Sequence, residues 1–343
     1  MTSASWAMTM VITVNALLFH AMPRFSRPDI LFAVTVTDAF VSGAGRALVS
    51  GYRTIVWTGA VAALAASLLI PAPLLGSGRG ALLMMTAVAG NMIVSVSAWL
   101  WANGKARPHA IPASEVRVAS LAPRDTSLPG GALFAAGPFA ILLATAVLVL
   151  THWEQVFEGS RRFGPFGPLA FGVLYVAMML TMAVSLARRT RQIAIDGMAA
   201  ALEQRFRRIN VFVLVLAGYG MAILLSAVAL ESIPAFGEAL TARLGFVLLP
   251  MMLFNFGVAF WMFRVGQGGQ RAVAATARQE IRGDATPDKA WKVGGLFYYN
   301  PKDPAIWVEK RVGLGYTLNV GNLSAWLLIG MMLLPIIAAR LLF

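Results

Sequence analysis

The chain contains no cysteine and few charged residues, and each of these absences restricts its chemistry. Without cysteine there can be no disulfide, no thiolate nucleophile and no cysteine-based metal site. Neither the His-Glu-x-x-His motif of zinc proteases nor the glycine-rich loop that binds nucleotide phosphates occurs, and the three histidines are scattered along the chain. We therefore predict that the protein is not an enzyme and that it holds no metal and no cofactor.

Charge is absent above all from eight long apolar stretches. Only 13% of the 343 residues are charged and 58% are hydrophobic, whereas a soluble domain has about 25% charged residues. Each stretch has about the 20 residues that a helix needs to cross a bilayer, and helices pair their own backbone groups in lipid. We predict an all-α polytopic membrane protein with a single integral membrane domain over residues 1–343. The predicted spans lie near 4–22, 54–75, 81–101, 131–151, 168–187, 210–230, 244–263 and 318–339.

The basic residues predict how these spans are oriented. Four loops hold 23 of the 28 basic residues, and the positive-inside rule places such loops in the cytoplasm. Both termini are then predicted outside. Because orientation in a membrane accounts for the net charge of +13, we predict membrane lipids as partners and no nucleic acid. The four loops are 23–53, 102–130, 188–209 and 264–317.

Two of these loops carry predictions of local structure. Loop 188–209 is expected to extend the fifth span as a helix. In the last loop, the β-prone runs 296–299 and 305–308 flank a turn rich in Pro, Asn and Asp, which is typical of a β-hairpin. Its aromatic rings suit the headgroup layer, and its basic residues suit lipid phosphates. Two interpretations stay open: a structural cap on the helices, or a surface that binds a ligand or partner.

The segment 291–322 also resembles a known family. It reads Trp-x-x-Gly-Gly-x-Phe-Tyr-Tyr-Asn-Pro-x-Asp-Pro and then Val-x-Lys-Arg-x-Gly-x-Gly-Tyr-Thr-Leu-Asn. This pattern is similar to the C-terminal signature of a bacterial multi-pass membrane family of unknown function, related to Sdp-type bacteriocin-immunity membrane proteins. Arg27-Pro28-Asp29 resembles the first loop of that family.

The resemblance implies a non-enzymatic protein of the bacterial cytoplasmic (inner) membrane. Such a protein would act in immunity or signalling by binding a peptide, a lipid or a partner protein. The candidate interaction residues are Trp291, Tyr298, Tyr299, Asn300, Asp303, Lys310, Arg311, Arg27 and Asp29.

Two other functions remain as alternatives. The first is a small-solute or lipid transporter, which would need a polar path and would be favoured if Asn91 and Asn255 faced each other. Polar groups inside spans also join helices by hydrogen bonds. The second is an accessory subunit of a larger membrane complex, which would co-purify with a fixed partner.

Overall fold

A computed structural model describes residues 3–70, 74, 77–112, 126–156, 164–189, 197–236, 244–266, 284 and 286–342. The described chain is mostly helical. Its helices are α1 (Ser3–Ala21), α2 (Asp38–Ser42), α3 (Ala44–Leu68), α4 (Gly78–Ala106), α5 (Gly131–Thr151), α6 (Phe166–Ala187), α7 (Gly197–Leu230), α8 (Leu244–Val265) and α9 (Leu323–Leu342). Its strands are β1 (Ile30–Leu31), β2 (Val34–Thr35), β3 (Trp291–Lys292), β4 (Phe297–Tyr298), β5 (Trp307–Glu309) and β6 (Tyr316–Leu318).

Five of the described helical segments are long and apolar enough to cross a membrane, as expected of a membrane protein. They are Ala44–Leu68, Gly78–His109, Gly131–Thr151, Phe166–Ala187 and Glu203–Leu230. Each of the other three predicted spans also overlaps a helix, namely α1, α8 and α9. Crossings beyond these five are not confirmed, so the number eight remains a prediction.

Two predicted boundaries are corrected. The second span was expected to begin at 54, but α3 begins at Ala44, so that Arg46 and Arg53 lie on the helix itself. The expected helical extension of the fifth span is wrong, because α6 ends at Ala187 and the arginine-rich residues after Gly197 belong to α7, which continues into the sixth span. Arginine is a strong helix former, so α7 extends well beyond its apolar part.

The described chain divides into two compact units. Unit 1 comprises Met1–Arg117, Gln270–Tyr299 and Glu309–Thr317. In it, α1, α3 and α4 pack around buried side chains that include Ile12, Val56 and Trp99. Close packing of α3 on α4 requires Gly59, because a Cβ atom there would lie 2.6 Å from Val94 Cγ1. Small residues of this kind let membrane helices approach each other.

The hairpin of β1 and β2 in unit 1 has a strained tip. Ile30 pairs with Thr35 and Leu31 with Val34, so Phe32 and Ala33 form a two-residue turn with φ values of 50° and 66°. Such values are uncommon for residues with a side chain. Tertiary contacts hold the turn: the Phe32 ring packs at 5.1 Å from the rings of both Tyr52 and Trp99, and its carbonyl accepts a hydrogen bond from Asn103 at 2.7 Å.

Small antiparallel sheets are present in the last loop, but the predicted hairpin across residues 300–304 is wrong. The strand Phe297–Tyr298 pairs backwards, with Trp291–Lys292, and β5 forms a separate two-stranded sheet with β6. The reason is the turn between β3 and β4, where Gly294 and Gly295 have φ values of 63° and 87°. Glycine adopts these values without strain, so the tight turn forms there.

Unit 2 comprises Val118–Gly269, Asn300–Val308 and Leu318–Phe343. Helices α5, α6 and α7 pack around Leu142, Val176 and Ala222, while α8 contacts α7 and α9 contacts α6. Inside the bundle, Thr145 donates a hydrogen bond to Ser226 at 2.8 Å. Short hydroxyl bonds of this kind join helices where no water is available.

Candidate functional site

The most polar part of the interior of unit 1 is centred on Arg311. This residue lies just after β5 and is 1% exposed. Its Nε and Nη2 atoms donate to the two carboxylate oxygens of Asp284 at 3.0 and 2.9 Å, which is the bidentate arrangement of a strong ion pair. Nη2 also donates to the Thr286 carbonyl at 2.6 Å, and Nη1 donates to Asp288. We call Arg311, Asp284, Thr286 and Asp288 the Arg311 cluster.

The Arg311 cluster is joined to the β1–β2 hairpin. Arg311 Nη1 donates to the carbonyl of Ala33 at 2.9 Å, and the Thr35 hydroxyl donates to Asp288 at 3.1 Å. A Cβ atom on Gly295 would overlap that of Ala33, so only glycine fits the opposing turn. The strained hairpin tip is thus fixed by one guanidinium and one glycine contact.

A second buried ion pair lies beside the cluster. Arg27 donates to Glu309 at 2.9 Å, and both side chains are buried. The hydroxyl of Ser26 donates to the Arg311 carbonyl at 2.6 Å. The first loop and the segment around Arg311, almost 300 residues apart in sequence, are therefore connected by both charge and hydrogen bonds.

Asp284, Arg311 and Arg27 are charged at neutral pH. Burial alone would raise the pKa of Asp284, but the charge and hydrogen bonds of Arg311 outweigh it and hold the pKa below its ordinary value. Burial likewise opposes ionisation of Arg311, yet the attraction of Asp284 and Asp288 raises its pKa. Burial opposes ionisation of Arg27 too, and Glu309 outweighs it, so its pKa is also raised. A buried, compensated network of this kind fixes structure rather than moving protons.

In unit 2, Asn319 organises the turn that contains Asn300 and Asp303. Its amide oxygen accepts from the backbone N–H groups of Asn300 and Gly321, each at 3.0 Å. Its amide nitrogen donates to the carbonyls of Asn300 and Asp303, each at 2.9 Å. A Cβ atom on Gly321 would lie 2.7 Å from the backbone of Pro301, so glycine is required there as well.

Strand β5, which follows this turn, is attached to α6 and to the residues just after it. Trp307 Nε1 donates to the Ser185 hydroxyl at 2.9 Å, and Arg189 Nε donates to the Trp307 carbonyl at 3.1 Å. Arg189 also pairs with Glu203 at 3.5 Å. Strand β5, which follows the turn, is therefore held by polar side-chain contacts within unit 2.

The structure brings some of the sequence-predicted residues together and separates others. Trp291, Tyr298, Arg27 and Arg311 are all buried in unit 1, where Trp291 and Tyr298 pack with ring centroids 5.1 Å apart. Trp291, Tyr298 and Arg311 are therefore not available to the headgroup layer, contrary to expectation. Asp29 is half-buried near Arg27, Lys310 and Tyr299 are exposed, and Asn300 and Asp303 belong to the turn in unit 2.

Sequence reasoning missed the acidic partners. Asp284 and Asp288 were not singled out, although their spacing around Thr286-Pro287 is typical of a capping turn. Glu309 and Asn319 lay inside the recognised segment but were not assigned a role. The signal that could have found them is the requirement that a buried arginine have an acidic partner; the burial itself was not visible in the sequence.

One part of the segment does face outwards. Four large apolar side chains lie on the β3–β4 turn and on β4 and the residue after it, and we call them the hairpin face. They are Val293 (51% exposed), Leu296 (38%), Phe297 (52%) and Tyr299 (48%). Val293 also has a φ of 49°, an uncommon value for a β-branched residue.

A transporter would need a polar path through the spans, and the structure describes the side chain of only one of the two asparagines considered for it. Asn91 is buried in α4, where its amide nitrogen donates to the Ile12 carbonyl at 3.4 Å. This is a helix-joining contact. The side chain of Asn255 lies outside the described residues. Among the described residues, no three His, Asp or Glu side chains form a group that could hold a metal ion.

Comparison with known proteins finds one similarity. Residues 301–326 match a family of unknown function (DUF5808). These residues include the Asp303 turn, both strands of the β5–β6 sheet, Arg311 and Asn319. No curated protein and no solved structure matches the chain. The segment that the sequence pattern singled out is thus similar, over 301–326, to a family whose function is unknown.

Proposed function

We propose that this chain is a non-enzymatic protein of the bacterial inner membrane that binds a peptide or a partner protein through the hairpin face. In this respect it would act like the Sdp-type immunity and signalling proteins that its C-terminal segment resembles. The observation that carries the proposal is the contrast within one hairpin: β3 and β4 are anchored by buried residues, yet they present four large apolar side chains to the outside.

The β3–β4 hairpin that carries the hairpin face is fixed by contacts with the rest of unit 1. Trp291 stacks under Arg311, whose Cζ lies 5.4 Å from the ring centroid, and its Nε1 donates to Thr286 at 2.7 Å. Trp99 Nε1 donates to the Gly294 carbonyl at 2.8 Å. A preorganised surface loses little conformational entropy when it binds a partner.

The chemistry of the face favours a protein or peptide. Tyrosine and phenylalanine are enriched at protein interfaces, where they contribute large apolar contacts. Contiguous exposed apolar patches on a folded unit mark interaction sites. Lys292 is exposed on the same hairpin and would favour an acidic partner.

The proposal includes the topology. Eight crossings with both termini outside place the hairpin face in the cytoplasm, according to the distribution of basic residues. Reporter fusions after residues 50, 120, 200 and 290 should report the cytoplasm, and a fusion after residue 158 the outside. A cytoplasmic signal at 158 would refute this topology.

Binding is tested with a photo-crosslinking amino acid placed at Phe297 or Tyr299 in the full chain, in its native membrane. We expect a discrete protein or peptide adduct at these positions. The matched control position is Leu83, which is exposed to a similar extent (45%) but lies on α4 of the same unit. Adducts with lipid alone at all three positions would overturn the proposal.

Co-purification in mild detergent supplies the second readout. The double variant Phe297→Ala with Tyr299→Ala should lose the crosslinked partner, whereas Leu82→Ala with Leu83→Ala should retain it at an unchanged ratio to the chain. Retention of the partner by the hairpin-face variant would show that binding lies elsewhere. Both pairs remove two exposed apolar side chains from unit 1.

A further inference from the structure

A groove runs along helix α3 of unit 1, at a distance from the Arg311 cluster in sequence. Its cavity has a volume of about 1160 Å³. One end is bordered by the single helical turn Met22–Arg24 and the start of α3, and the other by the middle of α3. We call it the α3 groove.

One end of the α3 groove is cationic. Arg24, Arg46 and Arg53 line it, and the first two are exposed. Arg53 Nε donates to the His20 carbonyl at 3.2 Å. Among the described residues, none of these three guanidinium groups forms an ion pair with a carboxylate. Three arginines from two elements thus line one cavity and have no carboxylate partner in the part of the chain that the structure describes.

The other end is apolar. Beyond Arg53, the lining passes Trp57 and continues to Val61 and Ala65, all of which are exposed. Trp57 Nε1 donates to His20 Nδ1 at 3.1 Å, so the indole is held at the boundary between the two ends. An indole in this position is typical of the membrane interface.

The spacing of the two ends matches one leaflet of a bilayer. Arg53 and Ala65 are separated by about 18 Å along the helix, at 1.5 Å per residue. Half of a hydrocarbon core of about 30 Å is about 15 Å. A molecule with an anionic head at the arginines would therefore have its chain alongside Val61 and Ala65.

We propose that the α3 groove binds one anionic phospholipid of the inner leaflet. Its phosphate lies between Arg24, Arg46 and Arg53, and an acyl chain follows the apolar wall. Guanidinium groups are well suited to phosphate oxygens, and the cytoplasmic leaflet is the anionic one. This site is separate from the hairpin face and does not rest on partner binding there, but its place in the inner leaflet rests on the proposed topology.

The apolar wall decides between a lipid and a soluble anion. A small phosphate compound would use only the arginine end, whereas a lipid would use both ends. The cavity is also far larger than a phosphate ion needs. The proposal therefore commits to a lipid, and a soluble phosphate becomes an outcome of the test.

The experiment uses the full chain in detergent with an equimolar mixture of phosphatidylglycerol and phosphatidylcholine. Native mass spectrometry then gives the ratio of the two bound lipids directly. We expect the wild type to prefer phosphatidylglycerol. The variant Arg24→Gln with Arg46→Gln should lower that preference about 30-fold, since each basic group near an anionic headgroup contributes about fivefold.

The matched control is Arg79→Gln with Lys105→Gln. It removes the same charge from exposed positions of unit 1 that do not line the groove, so the preference should stay within about twofold of the wild type. Equal losses in both variants would reduce the effect to general surface charge and overturn the site.

Two further arms separate the remaining outcomes. Val61→Trp should reduce binding of both lipids by filling the apolar wall, while the arginines remain. Glycerol phosphate in large excess should not displace the lipid. If it does displace it, or if Val61→Trp has no effect, the groove binds a soluble anion and the lipid proposal fails. Each variant should elute from a size-exclusion column at the same volume as the wild type, which confirms that it is folded.

Discussion

Unit 1 contains two sets of arginines in very different surroundings. Arg27 and Arg311 are buried and paired with Glu309, Asp284 and Asp288. Arg24 lies only three residues before Arg27, yet it lines the α3 groove with Arg46, and neither forms an ion pair with a described carboxylate. Neighbouring residues of one type therefore serve different purposes, and the position of the carboxylates decides which arginine stabilises the fold and which remains available to a ligand.

The largest effect is expected where a buried arginine is removed. Arg311→Ala leaves Asp284 and the Ala33 carbonyl without their donor, and breaking a buried ion pair costs about 3–5 kcal/mol. We expect a large fall in the thermal unfolding temperature of the full chain in detergent. Arg311→Lys should recover only part of it, because an ammonium group cannot form the bidentate pair.

The arginines of the groove supply the comparison for this variant. Arg46→Ala should leave the unfolding temperature of the lipid-free protein unchanged, because its guanidinium pairs with no described carboxylate. An Arg311→Ala protein as stable as the wild type would contradict the assignment of the Arg311 cluster to the fold.

The adjacent residues Tyr298 and Tyr299 allow the same comparison of a buried with an exposed side chain, here for aromatic residues. Tyr298 is buried against Trp291, and Tyr299 lies on the hairpin face. Tyr298→Ala should destabilise the protein by about 3–5 kcal/mol, the usual range for a buried aromatic residue. Tyr299→Ala should change stability by less than about 0.5 kcal/mol, as surface substitutions do. Thermal unfolding measures both, and equal effects would remove the distinction between the base of the hairpin and its face.

A smaller effect is expected in unit 2. Asn319→Asp keeps the oxygen that accepts from Asn300 and Gly321, but it replaces the nitrogen that donates to two carbonyls. Two backbone acceptors, one buried and one partly buried, lose their partner, at a cost of about 2–3 kcal/mol. Urea unfolding monitored by tryptophan fluorescence would measure the loss. If Asn319→Asp leaves the free energy of unfolding unchanged, Asn319 does not hold the turn.

The pH dependence of stability gives the smallest effect. The pKa of Asp284 is lower in the folded chain than its ordinary value of 3.8, so this carboxyl stabilises the fold at every pH above that value. Its contribution is lost as the pH falls through the folded pKa, with a slope of at most about 1.4 kcal/mol per pH unit. Stability measured from pH 7 downwards should therefore be insensitive to Asp284 until the pH falls below about 4. Asp284→Asn should remove that part of the slope. If stability falls with pH below about 4 in this variant as it does in the wild type, the pairing of Asp284 with Arg311 is contradicted.

The approximate positions of the long helices could be predicted from the sequence, because a run of apolar residues is a local signal. About 20 apolar residues without charge predict a crossing whatever the neighbours are, and each predicted span overlaps a helix. The start of α3 was predicted too late. Arg46 and Arg53 lie on the helix but lower the hydropathy of its first part, so hydropathy does not detect that part as helix. The limit of hydropathy is thus the point at which a helix leaves the lipid.

The candidate site was predicted only as a segment. The pattern around 291–322 identified the right region, but not that Trp291, Tyr298 and Arg311 are buried, since burial depends on contacts with Ala33, Asp284 and Trp99 far away in sequence. The turn at Gly294-Gly295 was overlooked in favour of the Pro/Asn/Asp turn, although paired glycines are a strong hairpin signal. The α3 groove combines residues from the first loop and α3, and their convergence is a property of the fold alone.

The most direct test compares the two sets of arginines in one measurement, the thermal unfolding temperature of the full chain with and without added phosphatidylglycerol. A lipid that binds the folded state raises this temperature. We predict that Arg311→Gln lowers the temperature under both conditions and keeps the increase caused by the lipid, whereas Arg24→Gln with Arg46→Gln matches the wild type without lipid and loses the increase. If both variants lose stability without lipid, or if both keep the full increase, the division of these arginines between fold and ligand is contradicted.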